Sequence, residues 1–379
     1  MPRLLLSCGE PSGDLYGAEL VRHLRRQVPD LDVFGLGGDR LLEQGARLTA
    51  HVRDLAVVGL LEVVSHLPRL QRTFRTVLAE VEATRPDLAV LVDYPDFNLR
   101  LARQLRRRGV RVVYYVSPQI WAWRRRRVRV IRETVSRMIV IFPFEEAVYR
   151  EAGVPVAFVG HPLVDLVRPP EDPAAFLRSS GLDPGRPVVA ILPGSRAKEV
   201  AHNAAALAGA AELLGKGRPE LQFLVALAPS LDPAPVERAF ARSGARLVAG
   251  AAHAVLGASR LALVASGTAT VEAALLGVPM VVVYRVSRLT YGLGRPLVSV
   301  PHFAMVNLIA QRAIVPELEQ SDFTPERVAA EAAALLDDPA RYERTRQDLA
   351  EVRRRLGAPG ASARAAALVA EGLRKGEKP

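Results

Sequence analysis

Short apolar runs alternate with longer amphipathic segments through most of the chain, and no other feature restricts its fold as strongly. In the first half the runs Arg3–Ser7, Asp32–Leu36, Leu88–Val92, Arg111–Val116, Met138–Phe142 and Val156–Val159 read as strands. Between them, Leu15–Gln27, Leu67–Ala83 and Leu99–Arg108 carry apolar residues at helical spacing. Strand and helix in turn predict a parallel sheet with helices on both faces. The prolines of Arg168–Pro173 suit neither a helix interior nor a central strand, so the pattern breaks there as at a linker. A second series follows, with strands at Val188–Leu192, Leu221–Ala226, Arg246–Val248, Leu261–Val264 and Pro279–Tyr284. From Thr324, a cap followed by Pro325 at the first turn, the chain reads as helix to Lys375.

A chain of 379 residues suits about two domains. The expected class is α/β, with two doubly wound domains, a cleft between them and C-terminal helices. The expected bounds are 1–167 for the first domain and 168–350 for the second. Residues 351–379 then form a helical tail that packs back on the first domain or is exchanged in a dimer. Ligands of open α/β sheets sit beyond the carboxyl ends of the strands, so the loops at those ends should carry the chemistry.

Composition narrows the class of function. The 49% apolar and 24% charged shares belong to a globular chain. No uncharged apolar stretch approaches the roughly 18 residues of a membrane span, and Leu4–Cys8 is too short for a signal peptide, so a cytoplasmic location is expected. The single cysteine, Cys8, excludes an internal disulfide and a cysteine-based metal cluster. A net charge of +11 favours a polyanionic partner. Only four of the 51 basic residues are Lys, a skew that genome composition alone can produce. No nucleic-acid motif is present and aromatic residues make up 6%, which leaves a lipid surface or a phosphate-bearing substrate.

Several loops hold candidate residues. Leu261–Tyr284 reads as strand, polar turn, helix, strand, with the turn at Ser266-Gly267-Thr268. Unpaired N–H groups at such a helix start can receive a phosphate, and Gly267 lets an anion approach the backbone. Glu272, one turn beyond Thr268, suits the two hydroxyls of a ribose, so a nucleoside diphosphate is the natural ligand. An ordinary capped turn has the same letters. Leu192–Glu199 offers Gly194, Ser195, Arg196 and Lys198 to the same diphosphate, but it is too short for a Walker A loop.

In the first half, Ser7–Asp14 follows a strand without matching GxGxxG, and Glu10 sits where a dinucleotide pyrophosphate tolerates no carboxylate. Glu10 fits sugar hydroxyls better, while Ser12 and Asp14 also suit caps of a helix starting at Leu15. In Val92–Asn98 either Asp93 or Asp96 could act as a base. Asp96 also suits a helix cap, which favours Asp93, and the two-residue spacing signals no divalent metal. Trp121 and Trp123 stand beside Arg124–Arg127, suited to phosphate clamping or an anionic surface. The apolar stretch Leu60–Leu70, with Arg69, Arg72 and Arg75, packs on the sheet or against a membrane. His161, before Pro162, reads more readily as structural than as catalytic.

Taken together, these loops resemble the lipid-A-disaccharide synthases, glycosyltransferases of family 19 with GT-B architecture and two Rossmann-like domains. The matching stretches are GEPSGD at Gly9–Asp14, DYPDFN at Asp93–Asn98, YVSPQIWAWR at Tyr115–Arg124 and FVGHPLVD at Phe158–Asp165. LPGSR at Leu192–Arg196, SGTATVE at Ser266–Glu272 and NLIAQRAIVPELEQ at Asn307–Gln320 complete the set, in order along nearly the whole chain. The resemblance implies transfer of 2,3-diacylglucosamine from UDP to 2,3-diacylglucosamine 1-phosphate with inversion, giving the β-1,6 disaccharide 1-phosphate and UDP. The UDP-sugar is then a substrate, with no cofactor and no metal.

By that resemblance Arg196, Ser266, Gly267, Thr268, Glu272, Asn307 and Glu317 bind the donor, and Asp93 and Glu10 are the catalytic acidic residues. Ser12, Asn98, Ser117, Trp123 and Arg124 belong to the acceptor side. It further implies peripheral association with the anionic inner-membrane surface, no nucleic acid, and a homodimer as one state of the family. Another UDP-sugar GT-B enzyme, a transferase to a different lipid or a UDP-N-acetylglucosamine epimerase, is the alternative. A non-catalytic polyanion-binding protein is a more distant one. Three positions depart from the family pattern: Cys8 replaces a small Ala, Val306 a common Pro and Gln311 a common Gly. The last two put the geometry of the Asn307 loop in question.

Overall fold

The computed structural model describes residues 1–54, 60–118, 120, 127–287, 291 and 301–374, with backbone alone for 54 and 60–67. The chain divides into two compact units, Met1–Pro162 with Leu356–Pro379, and Leu163–Arg355. The Pro-rich segment Arg168–Pro173 lies within the second unit.

The first unit holds β1 (Arg3–Cys8), β2 (Asp32–Gly37), β3 (Arg47–His51), β4 (Leu88–Val92), β5 (Arg111–Tyr115), β6 (Arg137–Val140) and β7 (Val156–Phe158). They form one parallel sheet in the order β3-β2-β1-β4-β5-β6-β7. The second unit holds β8 (Val188–Leu192), β9 (Gln222–Leu227), β10 (Arg246–Ala249), β11 (Leu261–Ala265), β12 (Met280–Tyr284) and β13 (Glu317–Glu319), parallel in the order β10-β9-β8-β11-β12-β13. These are the doubly wound α/β domains expected from the alternation. In each sheet the winding reverses at the middle, between β1 and β4 and between β8 and β11, so the loops leaving those strands diverge and open a crevice.

Both faces of the sheets are covered, which is why the central strands are uniformly apolar. All five residues of β4, β8 and β11 are buried. Leu5, Phe34, Leu91, Leu101 and Tyr114 pack in one core of the first unit, and Ile191, Leu207, Leu263, Val281 and Phe323 in that of the second. Each fully buried aliphatic side chain contributes on the order of 1.5–3 kcal/mol. Two strands went unrecognised in the sequence. β3 is a half-exposed edge strand, and β13 is three residues long with Leu318 alone buried.

Helix boundaries also moved. The first helix is Pro11–Arg25, so Asp14 lies in its first turn and cannot cap it. Asp14 instead accepts the N–H groups of Gly38 at 2.6 Å and Arg40 at 3.2 Å, capping the Asp39–Glu43 helix after β2 and tying it to the first helix. The helix expected over Leu67–Ala83 begins at Leu60, with Pro68 inside it. Among the described residues no helix is long and apolar enough to cross a membrane.

The Ala361–Arg374 helix packs on Pro11–Arg25. Its Glu371 pairs with Arg137 at 2.9 Å, the Gly372 carbonyl accepts from Arg111 at 2.7 Å, and Arg364 donates to the Val159 carbonyl at 2.9 Å. Beside this seam His161 is buried. Its backbone N–H donates to the Leu356 carbonyl, and its ring meets Tyr16 edge-on and Phe142 at 5.2 Å. Burial pushes its imidazole down to about 3 from 6.5, so it is neutral in the folded chain. Below pH 6.5 the unfolded chain takes a proton that the folded chain refuses, and stability falls as pH falls. Between pH 6 and pH 4 the wild type should lose up to about 1.4 kcal/mol per pH unit more than His161→Gln, measured by urea unfolding.

Candidate active site

In the first unit the register pairs Cys8 with Val92, so Gly9 and Asp93 leave the sheet side by side at the reversal. Asp93 and Tyr94 both have left-handed backbones, φ 47° and 48°, and Val116 at the end of β5 has φ 63°. That region costs a non-glycine residue roughly 1–2 kcal/mol, and for a β-branched valine it is a marked outlier. Strain of this kind concentrates where function constrains the chain. A methyl group on Gly9 would stand 2.0 Å from a ring carbon of Tyr94, so only glycine lets that ring lie over the β1 loop. The Tyr94 hydroxyl is raised above its ordinary pKa by burial, then by the charges of Glu10 and Asp96. Glu10 and Asp93 are both half-buried at this edge.

Asn98 is fully buried. Its amide donates to the carbonyls of Asp93 at 2.8 Å, Val92 at 3.2 Å and Ser7 at 3.3 Å, and its oxygen accepts from the Ser7 hydroxyl at 2.7 Å. It clips two strand ends together rather than facing a ligand. Ser117 is likewise buried and bonded to the Tyr149 hydroxyl at 2.7 Å, whose own pKa burial raises. Ser12 is half-buried in the first helical turn. Asp96, read as a cap, is exposed and pairs with Arg127, while the N-cap position belongs to Tyr94. Cys8 is buried, and burial followed by the Asp14 charge holds its thiol well above its ordinary pKa, so it stays protonated and inert. Trp123 and Arg124 lie outside the described residues, as do Trp121 and the side chains of Leu60–Leu67.

In the second unit Gly267 caps the Thr268–Leu275 helix with φ 153° and ψ −159°, a conformation open to glycine alone. Among the described residues, its chain neighbours aside, nothing lies within 4 Å of where its Cβ would be, so as far as those residues go the backbone there is open to an approaching group. Thr268 is exposed on the first turn. Glu272 is half-buried, 3.7 Å from Nε2 of His253.

A chain of hydrogen bonds runs from Ser266. Its hydroxyl donates to the Phe303 carbonyl at 2.9 Å, and the Phe303 N–H donates to Glu317 Oε2 at 2.7 Å. Glu317 Oε1 accepts from Asn307 Nδ2 at 2.5 Å, and Asn307 Oδ1 accepts the N–H groups of Ile314 at 2.8 Å and Val315 at 3.1 Å. Two expected donor-site stretches, SGTATVE and NLIAQRAIVPELEQ, are thereby joined, chiefly through side chains bonded to backbone. Arg196 precedes the Ala197–Gly217 helix, exposed, 3.1 Å from Glu199, whose other oxygen accepts the Ser195 N–H at 3.1 Å. Tyr284 stacks on Phe303 at 5.5 Å, and its hydroxyl is raised by burial, then by Glu199 and Glu319.

These loops are carried by a sequence that matches the Lipid-A-disaccharide synthetase family model over residues 4–371. The chain belongs to that family. A Lipid-A-disaccharide synthase of Myxococcus xanthus is 47% identical over 377 residues, covering 99% of this chain and 98% of its own. One from Geobacter sulfurreducens is 45% identical over 375 residues, 98% of each. The family member described here is therefore a hexosyltransferase of lipid A synthesis. Among solved structures, the UDP-GlcNAc 2-epimerase of Neisseria meningitidis bound to UDP-GlcNAc superposes with a TM-score of 0.67 at 14% identity, covering 98% of this chain and 100% of that one. That likeness shows the shared GT-B fold.

In this synthase-family chain, several residues of the two loop clusters gave no signal in the sequence. Phe303 acts through its backbone N–H and carbonyl, which no side-chain pattern reveals. His253 lies on a different helix from Glu272, and Tyr114 reads as ordinary core within a strand. The Asn307 loop closes despite Gln311: that residue takes φ 59° and ψ 24° itself at the end of the Met305–Ala310 helix, and Val306 is buried within the helix. Gln311→Gly should remove the left-handed penalty less the entropy glycine adds, a gain of roughly 0.5–1 kcal/mol in chemical unfolding with turnover unchanged.

Proposed function

We propose that the chain joins UDP-2,3-diacylglucosamine to 2,3-diacylglucosamine 1-phosphate, giving the β-1,6 disaccharide 1-phosphate and UDP. The observation that carries this reading is the placement of the family's motifs on loops at the carboxyl ends of both sheets, clustered where each sheet reverses. In the second unit the open backbone at Gly267 and Thr268 receives the diphosphate, Arg196 adds positive charge, and Glu272 takes the ribose hydroxyls. Ser266, Glu317 and Asn307 hold the loops that form this donor subsite. In the first unit Glu10 orients the acceptor sugar, and Asp93 takes the proton of its 6-hydroxyl as that oxygen attacks the anomeric carbon opposite UDP. One displacement inverts the centre, and the leaving diphosphate is met by preorganised N–H groups and a guanidinium. The UDP-sugar is consumed as substrate and the scheme calls for no cofactor. The acyl chains of both substrates and the net charge of +11 support work at an anionic membrane surface.

With both acylated substrates, UDP release should accompany disaccharide formation, and Asp93→Asn should turn over roughly 10²–10⁴ times more slowly. Near-normal turnover of that variant would remove Asp93 as the base. Conversion of UDP-N-acetylglucosamine without an acceptor would point to an epimerase instead. Glu272→Gln should weaken UDP binding by about 1.5–3 kcal/mol in calorimetry while leaving pyrophosphate binding unchanged, since only the ribose contact is lost.

A further inference from the structure

We infer that the hydroxyl of Tyr114 is a positioning residue for the acidic group at Asp93, acting through the Asp93 backbone rather than on substrate. The inference rests on the proposal that Asp93 is the base. Asp93 is held on both sides of its Cα. Its N–H donates to the Tyr115 carbonyl at 3.1 Å, and its carbonyl accepts from the Tyr114 hydroxyl at 2.6 Å and Asn98 Nδ2 at 2.8 Å. With the peptide groups before and after it both anchored, neither φ nor ψ is free, and the direction of the Cα–Cβ bond follows. The left-handed φ of 47° that results is one the chain would leave if a clamp were removed.

Tyr114 is fully buried in the apolar core of the first unit beside Leu91, Leu101 and Ile131. Phenylalanine would fill that space and bring no polar group to satisfy, so the hydroxyl serves something other than packing. Burial, followed by the Asp93 charge, holds that hydroxyl well above its ordinary pKa, and it remains a donor throughout the working pH range. The same strand, β5, supplies both the hydroxyl of Tyr114 and the carbonyl of Tyr115, which couples the Asp93 turn to the sheet. On the other side, the Tyr94 ring lies close against Gly9 of the β1 loop.

A double-mutant cycle on the full-length protein tests this. Tyr114→Phe should lower kcat roughly 10- to 100-fold, the cost of a misplaced catalytic group, with KM for the UDP-sugar within about twofold of wild type. In an Asp93→Asn background the same substitution should cost less than about twofold, because the group it positions is already gone. Thr134→Val, which removes another buried hydroxyl of the same unit, should leave kcat unchanged. Circular dichroism and the thermal midpoint establish that the variants are folded. If Tyr114→Phe does not fold, Asn98→Ser, which removes the second donor to the same carbonyl, takes its place with the same pattern expected.

Wild-type kcat in Tyr114→Phe, or a loss that multiplies in full on top of Asp93→Asn, overturns the inference while the base assignment stands. Normal turnover of Asp93→Asn overturns the base assignment and this inference together.

Discussion

Every strand pairing among the described residues is parallel, and the other features of the two loop clusters depend on that constraint. Parallel strands joined by helical crossovers all deliver their following loops to one edge. The edge opens at one place only, where successive crossovers turn to opposite sides. In the first unit that place lies between Cys8 and Val92, and in the second between Leu192 and Val264. The loops with Glu10, Asp93, Arg196 and Thr268 all begin there. A substitution that weakened β4 or β11 would therefore disturb the chemistry as well as the core.

Behind each crevice lies a layer of buried polar side chains that touch backbone. Asn98 joins the ends of β1 and β4, Asp14 joins the first helix to the end of β2, and Asn307 with Glu317 closes the loop beside Ser266. Each such bond contributes about 0.5–1.5 kcal/mol net, but leaving one of these buried groups unpaired would cost more. Loops held in this way can keep strained conformations such as those of Asp93 and Val116. The residues that form the motifs thus divide into two kinds. Thr268, Arg196 and Glu10 remain accessible, whereas Asn98, Ser117 and Asn307 are spent on the protein itself.

The GT-B fold is shared by enzymes of different chemistry, and only the loops distinguish them. Here the loops carry a carboxylate on a left-handed turn in the first unit and an open helix start in the second, the groups proposed above as base and diphosphate site.

Most of the architecture was legible in the sequence. Fully buried strands such as β4, β8 and β11 must be continuous apolar runs, and amphipathic helices must separate them, so residue type follows from burial. The strands β3 and β13 escaped because an edge strand and a three-residue strand bury too little to leave a pattern. The loop motifs pointed to the carboxyl ends of the strands, and among the described residues such loops follow β1, β4, β5, β8 and β11. What the letters could not tell was which polar groups stay available. Ser12 and Asp14 were equally plausible caps, Asn98 an acceptor-side residue by resemblance, and His161 a residue read more readily as structural than as catalytic. Those outcomes depend on partners distant in sequence, Gly38 for Asp14, Ser7 for Asn98, and Tyr16 with Leu356 for His161. Local sequence determined the elements and their order, because periodicity and propensity act within a few residues. Tertiary packing alone decided which side chains are spent on structure and which are left for a substrate, because hydrogen bonds and burial link residues far apart in the chain.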